Sequence, residues 1–276
     1  MPRTKKFIKK RVKVGLALGS GAWRGLAHIG VIKSLLKNNI PIDFIAGCST
    51  GSMIGGYYAA TQDIDEVEKT LTSLTQKELI AIFLDPSSHD GICRGKKVEN
   101  FFEKFVKNVM IEDMKTSFCA LTADINTGEQ VQIKKGKLSM AVRASGSVPL
   151  LFSPVSLDGR KLIDGAAISP VPVEVCKEMG ADIVIAVNLS TNFFSNKKAV
   201  SGGIQIALRA TQLMIKTLAE LNCQKADVCI CPKIEEPNKY TLISKFLNSA
   251  NLIKIGEVAT EKKIAKINSL INRPSS

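Results

Sequence analysis

A serine flanked by glycines is the first pattern in this chain that could carry out a reaction. Gly47-Cys48-Ser49-Thr50-Gly51 has the spacing G-x-S-x-G. In such a turn the serine hydroxyl stands at the apex of a strained strand-to-helix connection, and small residues on each side prevent clashes. The pattern predicts Ser49 as a nucleophile, with an ordinary glycine turn as the alternative. Cys48 is the better intrinsic nucleophile, but its place before the apex predicts that it points away into the packing.

A serine nucleophile needs a base, and this chain offers few. It has two histidines, His28 and His89, and both precede Asp164. A triad in the α/β-hydrolase order needs a histidine after the acid, so that triad is excluded. Asp164 begins an Asp-Gly-Ala segment, which by itself is most often a turn. If Ser49 is catalytic, a carboxylate that acts directly on its hydroxyl is the natural solution, and Asp164 is the candidate.

A second glycine-rich segment, Gly19-Ser20-Gly21-Ala22-Trp23-Arg24-Gly25, follows the first apolar run. Glycines let backbone N–H groups converge on an anion, and a helix that begins there adds its dipole. The segment therefore fits an oxyanion hole or a phosphate cradle. A dinucleotide site fits less well, because the glycine spacing differs and such a site needs an acid at the end of the next strand. Asp43 stands at the beginning of that strand. His28, one helical turn after Arg24, is predicted to be a helix-face residue bonded to the backbone.

The elements that must position these residues alternate between strand and helix. Residues 13–18 and 42–46 are predicted to be buried strands, and apolar residues at helical spacing predict a helix over 24–38. A small-residue helix then runs from the serine turn to Ala60. This alternation is typical of a parallel sheet covered by helices. We therefore predict an α/β fold with a mainly parallel central sheet and helices on both faces.

The rest of the chain continues in the same style. Asp63, with Glu66 three residues later, resembles a capping box for a helix that ends near Thr75. Residues 117–125 and 129–133 flank a turn and predict a hairpin. Other predictions are helices at 98–109, 138–145, 204–221 and 252–271, a strand at 182–189, and a loop at 85–95 that exposes His89.

The motifs and their order resemble the patatin-like phospholipase family. The run L-A-L-G-S-G-A-W-R-G-L-A-H-I-G-V-I-K-S-L, then G-C-S-T-G, then D-G-A, is similar to the family's glycine-rich oxyanion loop, G-x-S-x-G elbow and Asp-Gly-Ala/Gly motif. Residues 143–149, R-A-S-G-S-V-P, resemble the segment usually found ahead of the aspartate. The resemblance extends from about Val12 to Val187 and implies a patatin-like three-layer architecture.

The resemblance also implies a mechanism. Ser49 would attack the carbonyl of a lipid or other acyl ester, and Asp164 would accept its proton and later activate water to release the acyl-enzyme. Backbone N–H groups around Gly21 and Ala22, helped by Arg24, would stabilise the oxyanion. No metal and no organic cofactor is implied. Glycines of the elbow and loops would support these residues: Gly19, Gly25, Gly47, Gly51 and Gly165.

The oxyanion loop departs from the family pattern at one position. The family usually has Gly-Gly-Gly-x-Arg-Gly or Ser-Gly-Gly-x-Arg-Gly, whereas this chain has Ala22 in place of the third glycine. Alanine does not easily adopt a positive φ. If the position requires one, oxyanion stabilisation suffers, and one lost donor lowers the rate by about 10²–10³. Trp23 beside it is either a packing residue or a lipid contact at the mouth of the site.

The composition restricts the class of protein. The chain has 276 residues, of which 45% are hydrophobic, which is ample for a buried core. No apolar run approaches the ~18 residues of a membrane-spanning helix, and no apolar segment of a secretory signal follows the basic N-terminus. Seven cysteines without a C-x-x-C pair indicate free thiols in a reducing compartment. We expect a cytoplasmic protein, peripheral at a membrane if it binds one.

The formal net charge of +13 is unevenly distributed. We predict that residues 1–11 form a disordered basic arm and that 12–276 form a single patatin-like domain, with a helical portion at about 200–276. Such an arm can bind an anionic membrane surface at about 1 kcal/mol per residue near the headgroups. A solvated tail and a nucleic-acid contact are the alternatives. Given the resemblance, no nucleic-acid partner is expected, and the sequence does not specify an oligomeric state.

Three functions remain open from the sequence. The leading one is a lipid acyl hydrolase, that is, a phospholipase, lysophospholipase or esterase that uses a Ser-Asp dyad. The second is a catalytically weakened patatin-like module that binds lipid or a partner. The third is a nucleotide-binding α/β protein. The placement and order of the motifs favour them in this sequence, since no single motif is decisive.

Overall fold

The computed structural model describes residues 11–83, 85–87, 90–191, 201–235 and 249–273. Most of the basic arm and all of His89 lie outside the described residues, so what was predicted for them stays a prediction. Arg11, the last residue of the predicted arm, is described and forms an ion pair with Asp43. The start of the folded region is therefore tied to the sheet through a charged side chain of the arm.

Strands and helices alternate along much of the described chain. The strands are β1 (Val14–Leu18), β2 (Phe44–Cys48), β3 (Ser117–Asp124), β4 (Gln130–Ile133), β5 (Val155–Leu157), β6 (Arg160–Asp164), β7 (Ile183–Val187) and β8 (Val228–Ile230). The α-helices are α1 (Ala27–Lys37), α2 (Thr50–Thr61), α3 (Ile64–Thr72), α4 (Gln76–Phe83), α5 (Lys96–Val106), α6 (Leu138–Ser145), α7 (Val173–Glu178), α8 (Gly203–Gln224) and α9 (Ser249–Ile271). Short 3₁₀ helices cover Ala22–Leu26, Ile111–Asp113 and Gly165–Ala167.

The strands form an eight-stranded sheet in the order β5-β6-β3-β2-β1-β7-β8, with β4 also paired to β3. The pairs from β3 through β2, β1 and β7 to β8 are parallel. The pairs that involve β4, β5 and β6 are antiparallel. The centre of the sheet is thus parallel and one side of it antiparallel, which confirms the predicted mainly parallel α/β sheet.

Helices cover both faces of this sheet. Leu16 and Leu18 of β1 belong to one buried cluster, which includes residues of α1, α2 and α9, whereas Ala17 between them belongs to a second cluster with α7 and α8. Since side chains alternate between the faces of a strand, the two clusters lie on opposite faces. The predicted three layers are therefore present. None of the helices among the described residues is long and apolar enough to cross a bilayer.

Most predicted elements appear with small shifts of their ends. The predicted hairpin corresponds to the antiparallel pair β3–β4. The helix predicted over 24–38 begins later, because residues Ala22–Leu26 form a tight 3₁₀ turn before α1. Asp63 caps α3 as predicted, since its carboxylate accepts the N–H groups of Asp65 and Glu66. The Asp63 N–H donates to Thr61 Oγ1, so the capping box is not reciprocal.

The parallel pairing of β1 with β2 brings the two glycine-rich segments together. Leu18, the last residue of β1, is in register with Gly47 in β2. The glycine-rich loop and the serine turn follow these residues at the same edge of the sheet. Ligands and reaction centres of α/β proteins lie at the carboxyl ends of the strands, and both candidate segments occupy that place.

Helix α9 packs closely against α1, the helix that follows the glycine-rich loop. A Cβ atom at Gly30 would lie 1.9 Å from the carbonyl oxygen of Ile253, and one at Gly256 would lie 2.1 Å from the carbonyl oxygen of Ala27. The two helix backbones therefore touch through glycines. The single-domain organisation stays a prediction, and this contact provides a way to test how the C-terminal helix supports the rest.

Gly30→Ala should destabilise the protein, because the methyl group would overlap the α9 backbone and force the helices apart. We expect a loss of about 3 kcal/mol or more in the free energy of unfolding, measured by urea denaturation. Gly203→Ala at the start of α8 is the matched control, since a Cβ there would meet no atom within 4 Å. Equal stability of the two variants would contradict the close packing of α1 and α9.

Candidate active site

Ser49 occupies the turn between β2 and α2. Its backbone has φ 55° and ψ −122°, a strained conformation that serine rarely adopts. The glycines on each side are required by close contacts. A Cβ atom at Gly47 would lie 2.4 Å from Ser52 Cα, and one at Gly51 would lie 2.1 Å from the carbonyl oxygen of Leu18. The geometry is that of a strand–turn–helix elbow with the serine at its apex.

Hydrogen bonds hold the strained turn in place. The Ser49 N–H donates to Ser145 Oγ at 2.9 Å, and the Ser145 hydroxyl donates to the carbonyl oxygen of Leu121 at 2.7 Å. On the other side, Ser52 Oγ donates to the Ser49 carbonyl at 2.6 Å. Ser145 thus ties the elbow to β3. The sequence pattern assigned no role to Ser145, although the residue lies in the segment that resembles the one ahead of the family's aspartate.

Asp164 ends β6 and is buried, with 4% of its surface exposed. Its Oδ1 atom accepts the Ala166 N–H at 2.8 Å and the thiol of Cys48 at 3.6 Å. Its own N–H donates to the Ser147 carbonyl at 3.0 Å. A Cβ atom at Gly165 would lie 2.6 Å from the carbonyl oxygen of Leu121, so the Asp-Gly pair lies directly against β3. The structure brings Asp164 and Ser49 together from positions far apart in the chain.

The environment of Asp164 shifts its pKa upward. Burial raises the pKa of Asp164 to about 6, while hydrogen bonds from the Ser49 side chain, the Ala166 N–H and Cys48 act in the opposite direction. A carboxyl group in this range is mostly ionised at neutral pH and is more basic than an exposed aspartate. Such a pKa suits a general base that works near neutrality.

The prediction that Cys48 points away into packing is wrong in one respect. The residue is fully buried, but its thiol faces Asp164. Burial, followed by the negative charge of Asp164, raises the pKa of Cys48 well above its ordinary value. The thiol therefore stays protonated and donates to the carboxylate. It orients the acid and is not a competing nucleophile.

The glycine-rich loop passes directly beside the elbow. Its first residues are anchored by the N–H groups of Gly19 and Ser20, which donate to the carbonyl oxygens of Val187 and Pro170. A Cβ atom at Gly25 would lie 2.5 Å from the Thr50 side chain. Gly25 thus lets the loop contact the residue that follows Ser49. A Cβ at Gly19 or Gly21 would likewise meet its neighbours at under 3 Å.

Ala22 adopts the conformation that is unfavourable for alanine. Its φ is 49°, whereas Gly21 before it has an extended φ of −176°. The left-handed region costs an L-residue about 1–2 kcal/mol. The position does therefore require positive φ, and the glycine usual in the family would fit it without strain.

Arg24 and Trp23 pack against each other. Both are buried, and the Arg24 guanidinium lies 4.6 Å from the centre of a Trp23 ring. Trp23 is therefore a packing residue, and the alternative of a lipid contact at the mouth of the site is wrong. The Arg24 head group is directed at this ring, while Ala22 and Gly25 line the pocket beside Ser49. A direct contact of Arg24 with an oxyanion stays a prediction.

His28 is buried on α1 and acts on the loop. One of its ring nitrogens, Nε2, lies 2.8 Å from the Gly19 carbonyl oxygen, to which it donates. Burial lowers the pKa of His28 to about 4, although this hydrogen bond opposes the shift. The ring is neutral at pH 7 and holds the start of the glycine-rich loop. The predicted backbone-bonded histidine is confirmed.

An apolar pocket of about 160 Å³ opens beside Ser49. Ser49, Thr50, Ala22 and Gly25 form its reactive end. Its other walls come from α2 to α6 and from the segment before β5. Sequence reasoning missed this pocket, because its lining is contributed by separate helices. The apolar lining residues are Leu26, Met53, Ile54, Leu71, Leu74, Leu79, Ile82, Val98, Phe101, Val142, Val148, Leu151 and Phe152.

The nucleotide interpretation loses its acidic residue in the structure. Asp43 precedes β2, at the end of the sheet opposite to the elbow, where its carboxylate accepts the Val14 N–H at 2.8 Å. It therefore anchors β1 and does not face the glycine-rich loop. Across the parts of the chain that the structure describes, no group of three or more potential metal ligands was found.

Comparisons with known proteins agree with this fold and with the motifs. A family model described as patatin-like phospholipase matches residues 16–177, a range that includes Ser49 and Asp164. An uncharacterized NTE family protein of Mycobacterium tuberculosis is 40% identical over 179 residues, which cover 64% of this chain and 49% of that protein. A patatin-like phospholipase domain-containing protein of Caenorhabditis elegans is 34% identical over 204 residues, covering 68% of this chain and 15% of that protein.

Among solved structures, VipD from Legionella pneumophila has a similar fold. Its TM-score is 0.53 at 14% sequence identity, over 93% of this chain and 67% of that one. This likeness concerns the fold alone. The chain spans about half the length of the mycobacterial relatives it matches, 49%. What those longer proteins do as a whole does not follow for this chain.

Asp164→Asn should stabilise the protein at high pH. The folded pKa of about 6 lies above the ordinary 3.8, so the native state loses stability as pH rises from about 4 to 6 and the buried carboxyl ionises. Asparagine keeps an oxygen for the Ala166 N–H and carries no charge. We expect a gain on the order of 2–3 kcal/mol at pH 8 that vanishes near pH 4, measured by urea unfolding at both pH values. Parallel pH curves for variant and wild type would contradict it.

Ala22→Gly should stabilise the protein by about 1 kcal/mol, because glycine adopts positive φ without the strain that alanine suffers. Thermal and urea unfolding would measure this gain. Ala210→Gly in the exposed part of α8 is the matched control and should lose about 1 kcal/mol, since glycine is unfavourable inside a helix. A loss in both variants would show that the loop at Ala22 is not strained.

Proposed function

The chain belongs to the patatin-like phospholipase family, and on that premise we propose that it is a lipid acyl hydrolase. One observation carries the proposal. A serine at a strained elbow and a buried carboxylate of raised pKa lie together at the end of an apolar pocket. The serine supplies the nucleophile, the carboxylate supplies the base, and the pocket supplies room for an acyl chain.

In the first half of the reaction, Ser49 Oγ attacks the ester carbonyl carbon and Asp164 accepts the hydroxyl proton. The carbonyl oxygen becomes an oxyanion, which the N–H groups around Gly21 and Ala22 stabilise together with the amino-terminal end of α2. The ester C–O bond then breaks. The leaving alcohol takes up the proton from Asp164, and the acyl group stays on Ser49.

In the second half, water replaces the alcohol. Asp164, ionised again, takes a proton from the water molecule, which attacks the acyl carbon. Collapse of the second tetrahedral intermediate returns the proton to Ser49 Oγ and releases the fatty acid. One carboxylate therefore serves as base twice and as acid twice. No metal and no organic cofactor takes part in this scheme.

The two oxygens of Asp164 divide this work. Oδ1 is occupied by the Ala166 N–H and the Cys48 thiol. The second oxygen is left for the hydroxyl of Ser49, whose side chain also lowers the pKa of Asp164. The arrangement does for aspartate what a buried acid does for histidine in a triad, since it holds the base in one orientation. This supports direct action of Asp164 without a histidine.

The pocket indicates what kind of ester is cleaved. Its walls beyond Ser49 are almost entirely apolar, so a fatty acyl chain would bury its methylene groups there at about 0.8 kcal/mol each. The polar alcohol part would then leave on the solvent side. We propose a phospholipid, lysophospholipid or related lipid ester as the substrate, encountered at an anionic membrane surface that the basic arm binds.

A weakened binding module is the second candidate, and one observation favours it. Ala22 is strained where the oxyanion is to be stabilised, so the hole is less favourable than one built with glycine. If the loop relaxes when an ester binds, the N–H groups lose their aim and only lipid binding remains. The geometry of Ser49 and Asp164 supports the hydrolase, because a pure binding module has no need of a strained serine beside a buried acid.

Labelling with a fluorophosphonate probe and hydrolysis of short-chain nitrophenyl esters test the dyad directly. Wild type should be labelled and active, and Ser49→Ala and Asp164→Asn should each lose activity by at least about 10³-fold. The rate should also fall as pH drops below about 6, because Asp164 is then protonated.

Two variants serve as controls in this experiment. Ser269→Ala removes an exposed serine of α9 and should keep full labelling. Cys48→Ala should still be labelled, because the label is attached to Ser49. A folded wild type that is neither labelled nor active would favour the binding module, and label lost in Cys48→Ala but kept in Ser49→Ala would reverse the two roles.

A further inference from the structure

Two large apolar side chains are presented to solvent on adjacent loops. Ile92 is 67% exposed and Leu150 is 60% exposed. The loops are joined directly, because the Ile92 N–H donates to the Leu150 carbonyl at 3.0 Å. Single exposed apolar residues are common, but two on one hydrogen-bonded pair of loops form a patch. We call Ile92, Leu150 and the half-exposed Val148 the apolar tip.

The apolar tip is held rigidly. The Cys93 N–H donates to the Leu151 carbonyl at 2.8 Å, and the Ser153 N–H donates to the Cys93 carbonyl at 2.9 Å. Arg143, buried beneath the loops, donates to the carbonyl oxygens of Arg94 and Ser153. Both loops are therefore fixed to α6, the helix that also carries Ser145.

Leu150 is also strained. Its φ is 70°, in the left-handed region that a leucine avoids. Strain of this kind persists where the surrounding structure enforces it, and it is concentrated at functional positions. Here the strained residue is one of those that expose an apolar side chain, so the fold maintains an arrangement that is unfavourable both for the backbone and for contact with water.

The apolar tip is continuous with the pocket of the candidate active site. Val148 is 37% exposed and at the same time lines the pocket, as do Leu151 and Phe152 directly after Leu150. A chain that entered the pocket past Val148 would leave one apolar surface and meet another. The apolar tip therefore lies at an entrance to the pocket.

Charges around the tip balance. Residues 85–99 contain three cations, Arg94, Lys96 and Lys97, and three acids, Asp85, Asp90 and Glu99. Three of these charged groups take part in ion pairs across short distances, Asp90 with Lys161 at 3.1 Å and Lys96 with Glu99 at 2.6 Å. The attraction of the tip for a partner is therefore apolar, and it should depend little on salt.

We propose that the apolar tip inserts into the surface of a lipid bilayer and docks the entrance of the pocket against it. The exposed area of three side chains is far below the roughly 800 Å² per partner of a stable protein–protein interface, which favours lipid over a protein partner. A lipid chain could then pass from the bilayer into the pocket without crossing water. The route into the pocket rests on the proposed function, whereas the docking itself does not.

Binding to vesicles tests the docking without catalysis. In a Ser49→Ala background, the double variant Ile92→Ser/Leu150→Ser should bind vesicles of phosphatidylcholine and phosphatidylglycerol about tenfold more weakly per substituted residue. Sedimentation at low and high salt should give the same factor, because the contact is apolar. Deletion of residues 1–10 should instead weaken binding mainly at low salt, because the basic arm acts through charge. Equal thermal unfolding temperatures would show that the double variant is folded.

Two controls separate the apolar tip from other exposed apolar residues. Leu36→Ser, at the end of α1 and at the end of the sheet away from the elbow, should not change binding. Ile204, 74% exposed on α8, lies by the opposite edge of the sheet near β8, and Ile204→Ser should also leave binding unchanged. Undiminished binding by the double variant, or a loss with Ile204→Ser in its place, would overturn the proposal.

A second measurement links the docking to turnover. In the active enzyme, the double variant should lower the ratio of the rate on vesicles to the rate on a soluble nitrophenyl ester by at least about tenfold, the factor expected from the lost apolar contact. An unchanged ratio would overturn the entrance role of the apolar tip. If wild type hydrolyses neither substrate, the proposed function fails, while the vesicle-binding result still decides the docking.

Discussion

Two backbone turns meet at the carboxyl ends of β1 and β2, and the rest of the site depends on that contact. The glycine-rich loop touches the elbow where Gly25 faces Thr50, and the elbow touches the end of β1 where Gly51 faces the carbonyl oxygen of Leu18. A side chain at either glycine would force the turns apart. The parallel pairing of β1 and β2 brings the turns together, and the absence of side chains lets them stay in contact.

The second constraint is a buried acid without a histidine. Because Asp164 is withdrawn from water, its ionised form is disfavoured and its pKa rises to about 6. The same burial that makes it a better base lowers the stability of the fold at neutral pH. Its hydrogen bonds to Ala166 and Cys48 keep it ionised and oriented. Activity and stability are therefore opposed at this residue, as is common where a site is built for reaction.

Strain is concentrated around the pocket. Ser49, Ala22 and Leu150 all have positive φ, and they stand at the elbow, in the loop and beside the pocket entrance. Each conformation is enforced by surrounding contacts, such as the hydrogen bond from the Ser49 N–H to Ser145. The rigid sheet and the close packing of α1 on α9 supply the stability that this strain consumes. The strained positions thus mark the places where an ester would be bound, attacked and delivered.

The sequence by itself determined the family, the order of the motifs and most of the elements, because glycine spacing and apolar periodicity are local properties of a chain. Ser49 could be predicted from its own turn, and Asp164 from the lack of a suitable histidine together with the family resemblance. Only the tertiary structure decided the rest. The contact of Cys48 with Asp164 joins residues 116 apart, and the bond from Ser49 to Ser145 joins residues 96 apart. The pocket likewise draws its walls from several helices. Such contacts, and the φ of Ala22, follow from how distant segments pack, which no local pattern encodes.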